Sequence, residues 1–277
     1  MIGKMNPKKP TLFFIHGFGN DHETWLCQQT CLSKLFCTVS IDWRSVGNSS
    51  KTTGIVYNLD VFVDDFHEVI KQLGLKNVIL VGQSIGSTMA MKYVVKYPNE
   101  IDKLIVFGGF SRAVSDLSYP APPVPADQYE GFVNFIATDF LGFRTTFISN
   151  AFNESCQLQL TDAKAQAIQE GWAPQEIILE GYANENGWFL EDITDIITQI
   201  NVKTLVAYGG IDATVPINNS FFLRQTIPES TLIELPNIGH FGNVSNYKKF
   251  NRMVKRFILC NNNKPCHVCR LIKPTND

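Results

Sequence analysis

Six short apolar runs, TLFFIHG, CTVSIDW, NVILVGQS, KLIVFGG, KTLVAYGG and STLIELPN, recur along the chain with helix-like segments between most of them. Each is rich in β-branched and aromatic residues and ends in a glycine, proline or polar turn, which predicts a strand. Strands separated by helices cannot pair as hairpins, so the alternation predicts the α/β class: a mostly parallel, twisted sheet flanked by helices. The segments between the runs agree. Val63, Phe66, Ile70 and Leu73 fall at helical spacing, with Gly74 as a stop, and Met89, Tyr93, Val94 and Tyr97 share a second helical face closed by Pro98. A last helix is expected over NYKKFNRMVKRFILC.

The alternation breaks from Phe110 to Gln199. A stiff crossing, YPAPPVPADQ, leads there into segments that read as helices, with no convincing strand and with many aromatic residues. That composition predicts a helical cap inserted into the sheet domain and burying a small core of its own. The expected division is residues 1–109 and 200–259 as the sheet-bearing body, 110–199 as the cap and 260–277 as a polar tail.

With 24 basic and 26 acidic residues the net charge is −2, so nothing favours nucleic acid or an anionic membrane as partner. A small-molecule ligand is expected. The 44% apolar content is ample for a core without staples. No stretch approaches the roughly 20 apolar residues of a membrane span, and the N-terminal apolar run is shorter than a signal-peptide core, so a cytoplasmic location is expected. The seven cysteines are odd in number and scattered. Cys260, Cys266 and Cys269, with His267, form a single CxxC in the tail, which reads as a reduced terminus; no metal and no cofactor are expected. Asn-x-Ser sequons start at Asn48, Asn153, Asn218 and Asn243 and carry no weight in a chain outside the secretory route.

One strand runs into VGQSIGST, where Ser84 stands between Gly82 and Gly86 and before a predicted helix. A glycine-flanked serine alone is an ordinary turn; in a strand–turn–helix setting it is a candidate nucleophile. Serine needs a base, and the base needs an orienting group. Of five histidines, His240 in LPNIGHFGN follows the last predicted strand, which puts it at the same sheet edge as Ser84. His16 and His22 share the loop after the first strand, His67 lies on a helix and His267 in the tail. Asp212 in YGGIDATVP follows another strand end; its bland alternative is a turn cap.

Together HGFGNDHETW, DWRSVGNSS, VGQSIGS, YGGIDATVP and GHFGN resemble the motifs of the α/β-hydrolase superfamily, in its Ser, Asp, His order, from Lys9 to about Phe257. The resemblance implies Ser84 as nucleophile, Asp212 as orienting acid, His240 as base and an oxyanion hole from the N–H groups of Phe18 and Ile85, with His16 organising the loop. Two features depart from the pattern: few residues precede the first strand, implying a sheet shortened at that edge, and Ser45 replaces a glycine of the DWRSVGNSS turn. Trp25, Phe110, Trp188 and Phe241 are candidates for an acyl pocket by position. The implied activity is hydrolysis of a carboxylic ester or thioester with an apolar acyl group through an acyl-enzyme. The loop also resembles those of carrier-protein methyl ester esterases, which would put the ester on an acyl carrier protein, and of the karrikin and strigolactone receptor group, the alternative being a slow-hydrolysing receptor. A carbon–carbon bond hydrolase or lactonase shares the same triad.

Overall fold

The computed structural model describes residues 9–116, 122–152 and 171–259. The Cys260, Cys266 and Cys269 tail and the sequon at Asn153 lie outside them. Six strands form one parallel sheet: β1 (Thr11–Ile15), β2 (Cys37–Ile41), β3 (Val78–Gln83), β4 (Ile101–Phe107), β7 (Lys203–Gly209) and β8 (Ser230–Leu235). Their spatial order is β2-β1-β3-β4-β7-β8. The chain leaves β1 in one direction to form β2 and returns across it to form β3. A crevice therefore opens at the carboxyl ends of β1 and β3, where an open α/β sheet binds its ligands.

Successive side chains of a strand face opposite sides of the sheet, and the core divides accordingly. Phe13, Ile15, Leu80, Leu104 and Val106 face helices α2 (Leu59–Gln72) and α3 (Ile85–Lys96). Leu12, Phe14, Ile79, Val81, Ile105 and Phe107 face α1 (Leu26–Leu32) and the last helix, α7 (Tyr247–Leu259). α2 buries Val63, Phe66 and Ile70 of the expected stripe and Phe62 beside them, while Leu73 caps the helix end and is half-buried; at its start Asn58 accepts from the Val61 N–H.

Between β4 and β7 the chain makes the inserted helical region: α4 (Tyr129–Thr138) and α5 (Phe140–Ala151), the latter capped by Asp139. Two expectations change here. A two-stranded pair exists, β5 (Val114–Ser115) with β6 (Val124–Pro125), fastened where the Val124 N–H donates to the Ala113 carbonyl. The expected helical segments over residues 175–199 are short turns, Gln175–Ile177, Ile178–Tyr182 and Ile197–Gln199, and Gly181 packs against the Tyr57 ring, leaving no room for a side chain. Among the described residues the cap also buries no separate core. Its aromatic rings join the α2/α3 side of the sheet core in one cluster.

The insertion is stitched to the body where it leaves and returns. Arg112 bridges Asp192, Ser111 Oγ meets Thr194 Oγ1 at 2.7 Å, and Glu191 accepts from the Leu59 N–H while pairing with Lys92. A further helix, α6 (Asn218–Thr226), lies between β7 and β8.

Candidate active site

Ser84 follows β3 directly with φ 55° and ψ −130°, a left-handed conformation that a non-glycine residue adopts only when its surroundings impose it. The imposition is visible. A side chain at Gly82 would collide with the Gly86 carbonyl and lie 2.6 Å from the Ser87 Cα, and one at Gly86 would strike the His16 and Ile15 carbonyls. The two glycines let β3, the turn and the loop after β1 touch. The Ser84 N–H donates to the Phe107 carbonyl at 2.9 Å, which fixes the turn against β4. Ile85 heads α3, so its N–H has no intrahelical acceptor.

The end of β4 brings in the other two groups. Gly108, next to the Phe107 carbonyl, lies against both Asp212 and His240, a Cβ there standing 3.2 Å from Asp212 Oδ2 and from His240 Nδ1. His240 Nδ1 and Asp212 Oδ2 are 2.8 Å apart, and both side chains are 1% exposed. The other oxygen of Asp212 accepts from the N–H groups of Thr214 and Val215, each at 2.9 Å. A carboxylate held by two backbone donors presents its free oxygen to His240 Nδ1, the arrangement in which a neutral imidazole donates from Nδ1 and keeps Nε2 as its acceptor. Nε2 is buried without a hydrogen-bond partner among the described residues.

Gln83, which the motif reading passed over, is fully buried beside Ser84. Its Nε2 donates to the His240 carbonyl at 3.2 Å, and its Oε1 lies against Gly17 in the loop after β1. One side chain thus spans the two loops that flank Ser84. A glutamine with no exposure at the end of an apolar strand is the signal that could have marked it.

His16 has a different setting. Its Nε2 accepts from the Trp43 N–H at 3.3 Å, so its Nδ1 donates to the Gly17 carbonyl at 2.9 Å, and its ring stacks on Trp43 at 4.3 Å. Burial lowers its pKa to about 4, against a smaller opposing effect from the Gly17 carbonyl. His22 pairs with Asp42, which also accepts from the His22 and Asn48 N–H groups and so anchors the turn containing Ser45, whose φ is 69°. Asp21, His22 and Asp42 lie close enough to share a cation, yet Asp42 is already occupied by those donors.

A cavity of about 240 Å³ opens over Ser84 and Ile85. Phe18, Phe110, Trp188 and Val215 line it together with Phe132, Phe147 and Phe189, and its described lining includes no charged side chain. Phe18 is the hub: its ring meets those of Phe143, Phe147, Trp172, Tyr182, Trp188 and Phe189, at 4.9 Å for Trp172. Two of the expected pocket residues are placed elsewhere. Trp25 faces the α1/α7 side of the sheet, stacked on Phe14 at 4.9 Å, because the turn carrying it packs beneath β1. Phe241 is spent on Phe152, 4.7 Å away, and does not reach the cavity wall.

This chain belongs to the alpha/beta hydrolase fold family, whose profile matches residues 10–247. It is 25% identical over 251 residues to a putative non-heme chloroperoxidase of Synechocystis sp., covering 89% of this chain and 90% of that one. Its fold is similar to that of a bromoperoxidase from Bacillus anthracis, with a TM-score of 0.81 and 22% identity over 91% of this chain and 93% of the other. An esterase from Exiguobacterium antarcticum is similar to the same degree, with a TM-score of 0.81 and 21% identity over 91% and 93%. Among the described residues no helix is long and apolar enough to cross a membrane.

Proposed function

We propose that this protein is a serine hydrolase that cleaves a neutral carboxylic ester with an apolar acyl group. The observation that carries the reading is His240: Asp212 holds its Nδ1, while its Nε2 is buried and unpartnered at the edge where Ser84 is presented. In this reaction Ser84 Oγ attacks the ester carbonyl as His240 Nε2 takes its proton, and the imidazolium is stabilised by Asp212. The carbonyl oxygen, negative in the tetrahedral intermediate, receives the N–H groups of Phe18 and Ile85. Collapse expels the alcohol, protonated by His240, and leaves the acyl group on Ser84. Water then attacks the acyl-enzyme with the same base, releasing the acid and restoring the serine.

The cavity supports the acyl assignment. Its aromatic lining favours a hydrocarbon chain or ring, and the absence of a cation in the described lining favours a neutral acyl group over one ending in a carboxylate. The insertion supplies Phe132, Phe147 and Trp188 to that wall, so residues 110–199 would select the acyl group while the sheet-bearing body carries the chemistry. The test is labelling by a fluorophosphonate followed by a p-nitrophenyl ester series of rising acyl length, with carrier-protein-linked esters alongside. Labelling that is lost in Ser84→Ala, with repeated turnover of the esters, is expected. An unlabelled wild-type protein, or one that stops after a single turnover, would overturn the hydrolase reading.

A further inference from the structure

α5 has two contacts that meet at one end. Phe147 and Asn150 line the cavity over Ser84. The next residue, Ala151, ends the helix, and its carbonyl accepts the backbone N–H of His240 at 3.1 Å. The last carbonyls of a helix lack intrahelical donors; here His240 supplies one. Phe152 follows, 2% exposed, with its ring 4.7 Å from that of Phe241, the neighbour of His240. On its other side His240 is held through its own carbonyl by Gln83. The backbone of His240 is therefore clamped between the strand that presents Ser84 and the helix that walls the cavity.

From this geometry we propose that the carboxyl end of α5 positions His240 for the acyl group in the cavity, with Phe152 as the positioning residue, so that filling the cavity raises the rate of the chemical step as well as binding. The inference rests on the reading of His240 as the base. An acyl group packed against Phe147 and Asn150 presses on the final turn of α5, and that turn has a hydrogen bond and a ring contact to the His240 loop. An aromatic ring at position 152 transmits the helix position to Phe241; a small side chain leaves the helix end free to shift. Misplacement of a reacting group by about 1 Å costs on the order of 10²-fold in rate.

The experiment compares wild type, Phe152→Ala and Phe152→Leu on acetyl, butyryl and hexanoyl p-nitrophenyl esters, with kcat expressed per phosphonate-labelled site so that misfolded protein does not count. In wild type, kcat is expected to rise with acyl length while KM falls. In Phe152→Ala, kcat per labelled site should drop about 10- to 100-fold with KM within about twofold, since Phe152 does not line the cavity, and its dependence on acyl length should vanish. Phe152→Leu, which keeps most of the apolar volume, should recover most of the rate; it also carries the test if the alanine variant does not fold. A wild-type kcat indifferent to acyl length overturns the proposal, as do variants that match wild type in kcat or that lose only KM, and in each case the hydrolase reading stands. A wild-type protein neither labelled nor active overturns both.

Discussion

Two of the aromatic assemblies among the described residues lie on opposite sides of the sheet and differ in what their rings face. On the α1/α7 side of the sheet, Trp25 stacks on Phe14 and approaches Phe250, whose ring also meets Phe107. That assembly is closed, and none of its four rings reaches the cavity. On the other side, six rings surround Phe18, and four of those seven aromatics, Phe18, Phe147, Trp188 and Phe189, also line the cavity over Ser84. Residue type is shared; the distinction is whether a ring has protein on every side. Where it does, dispersion and burial stabilise the fold. Where it does not, part of the same contact area is left for a ligand.

The comparison makes rate and stability separable. The largest effect is expected from Ser84→Ala, which should reduce turnover by about 10⁶ and leave the melting temperature nearly unchanged, because the hydroxyl sits on the cavity wall; kinetics and a thermal melt together check it. Asp212→Asn should reduce turnover by about 10⁴, since an amide held by the Thr214 and Val215 N–H groups no longer fixes the proton of His240 on Nδ1. Turnover within tenfold of wild type would move the orienting role to another acid. Trp25→Ala reverses the pattern: a loss of about 3–5 kcal/mol in stability by urea denaturation, with kcat per folded molecule unchanged. A changed acyl preference in that variant would break the comparison.

His16 sharpens it at the boundary between the two sides. Its pKa in the folded state is about 4 and its ordinary value is 6.5. Between those values the unfolded chain binds the proton more readily, so stability is complete above about pH 6.5 and falls as the pH drops towards 4, by about 3 kcal/mol in all. Urea midpoints at pH 7 and pH 4.5 should show this loss, and His16→Gln should remove most of the difference. The smallest effect belongs to Phe132→Ala on the cavity wall. It should move the acyl-length optimum to longer chains, each added methylene contributing about 0.8 kcal/mol until the enlarged space is full, with a melting temperature close to that of wild type.

The sheet was legible because strands buried on both faces leave apolar runs that no other element needs, and Gly82, Ser84 and Gly86 were legible because a turn this tight admits few residues. Asp212 and His240 could be ranked from chain position, since each follows a strand that had to end at the same edge. Gln83 and Ala151 were not legible. Gln83 stands out only as an amide closing an apolar strand, with nothing nearby to tell which two loops it joins, and Ala151 acts through a backbone carbonyl that leaves no pattern in residue type. The cap aromatics were visible as a composition but could not be sorted into wall and filling.

Local sequence by itself determined the six strands of the large sheet, the helix that follows Ser84 and the chemical types available at the strand ends, because these depend on backbone preference and on spacing within a few residues. Tertiary structure alone decided that Trp25 faces away from the cavity while Trp188 faces it, that the cap shares its core with the sheet, and that the end of α5 holds His240. Each of these depends on which surfaces meet across more than 80 residues of chain in the case of the α5 contact, and the free energy of such packing depends on the shape of both partners, of which any one stretch of sequence contains only half.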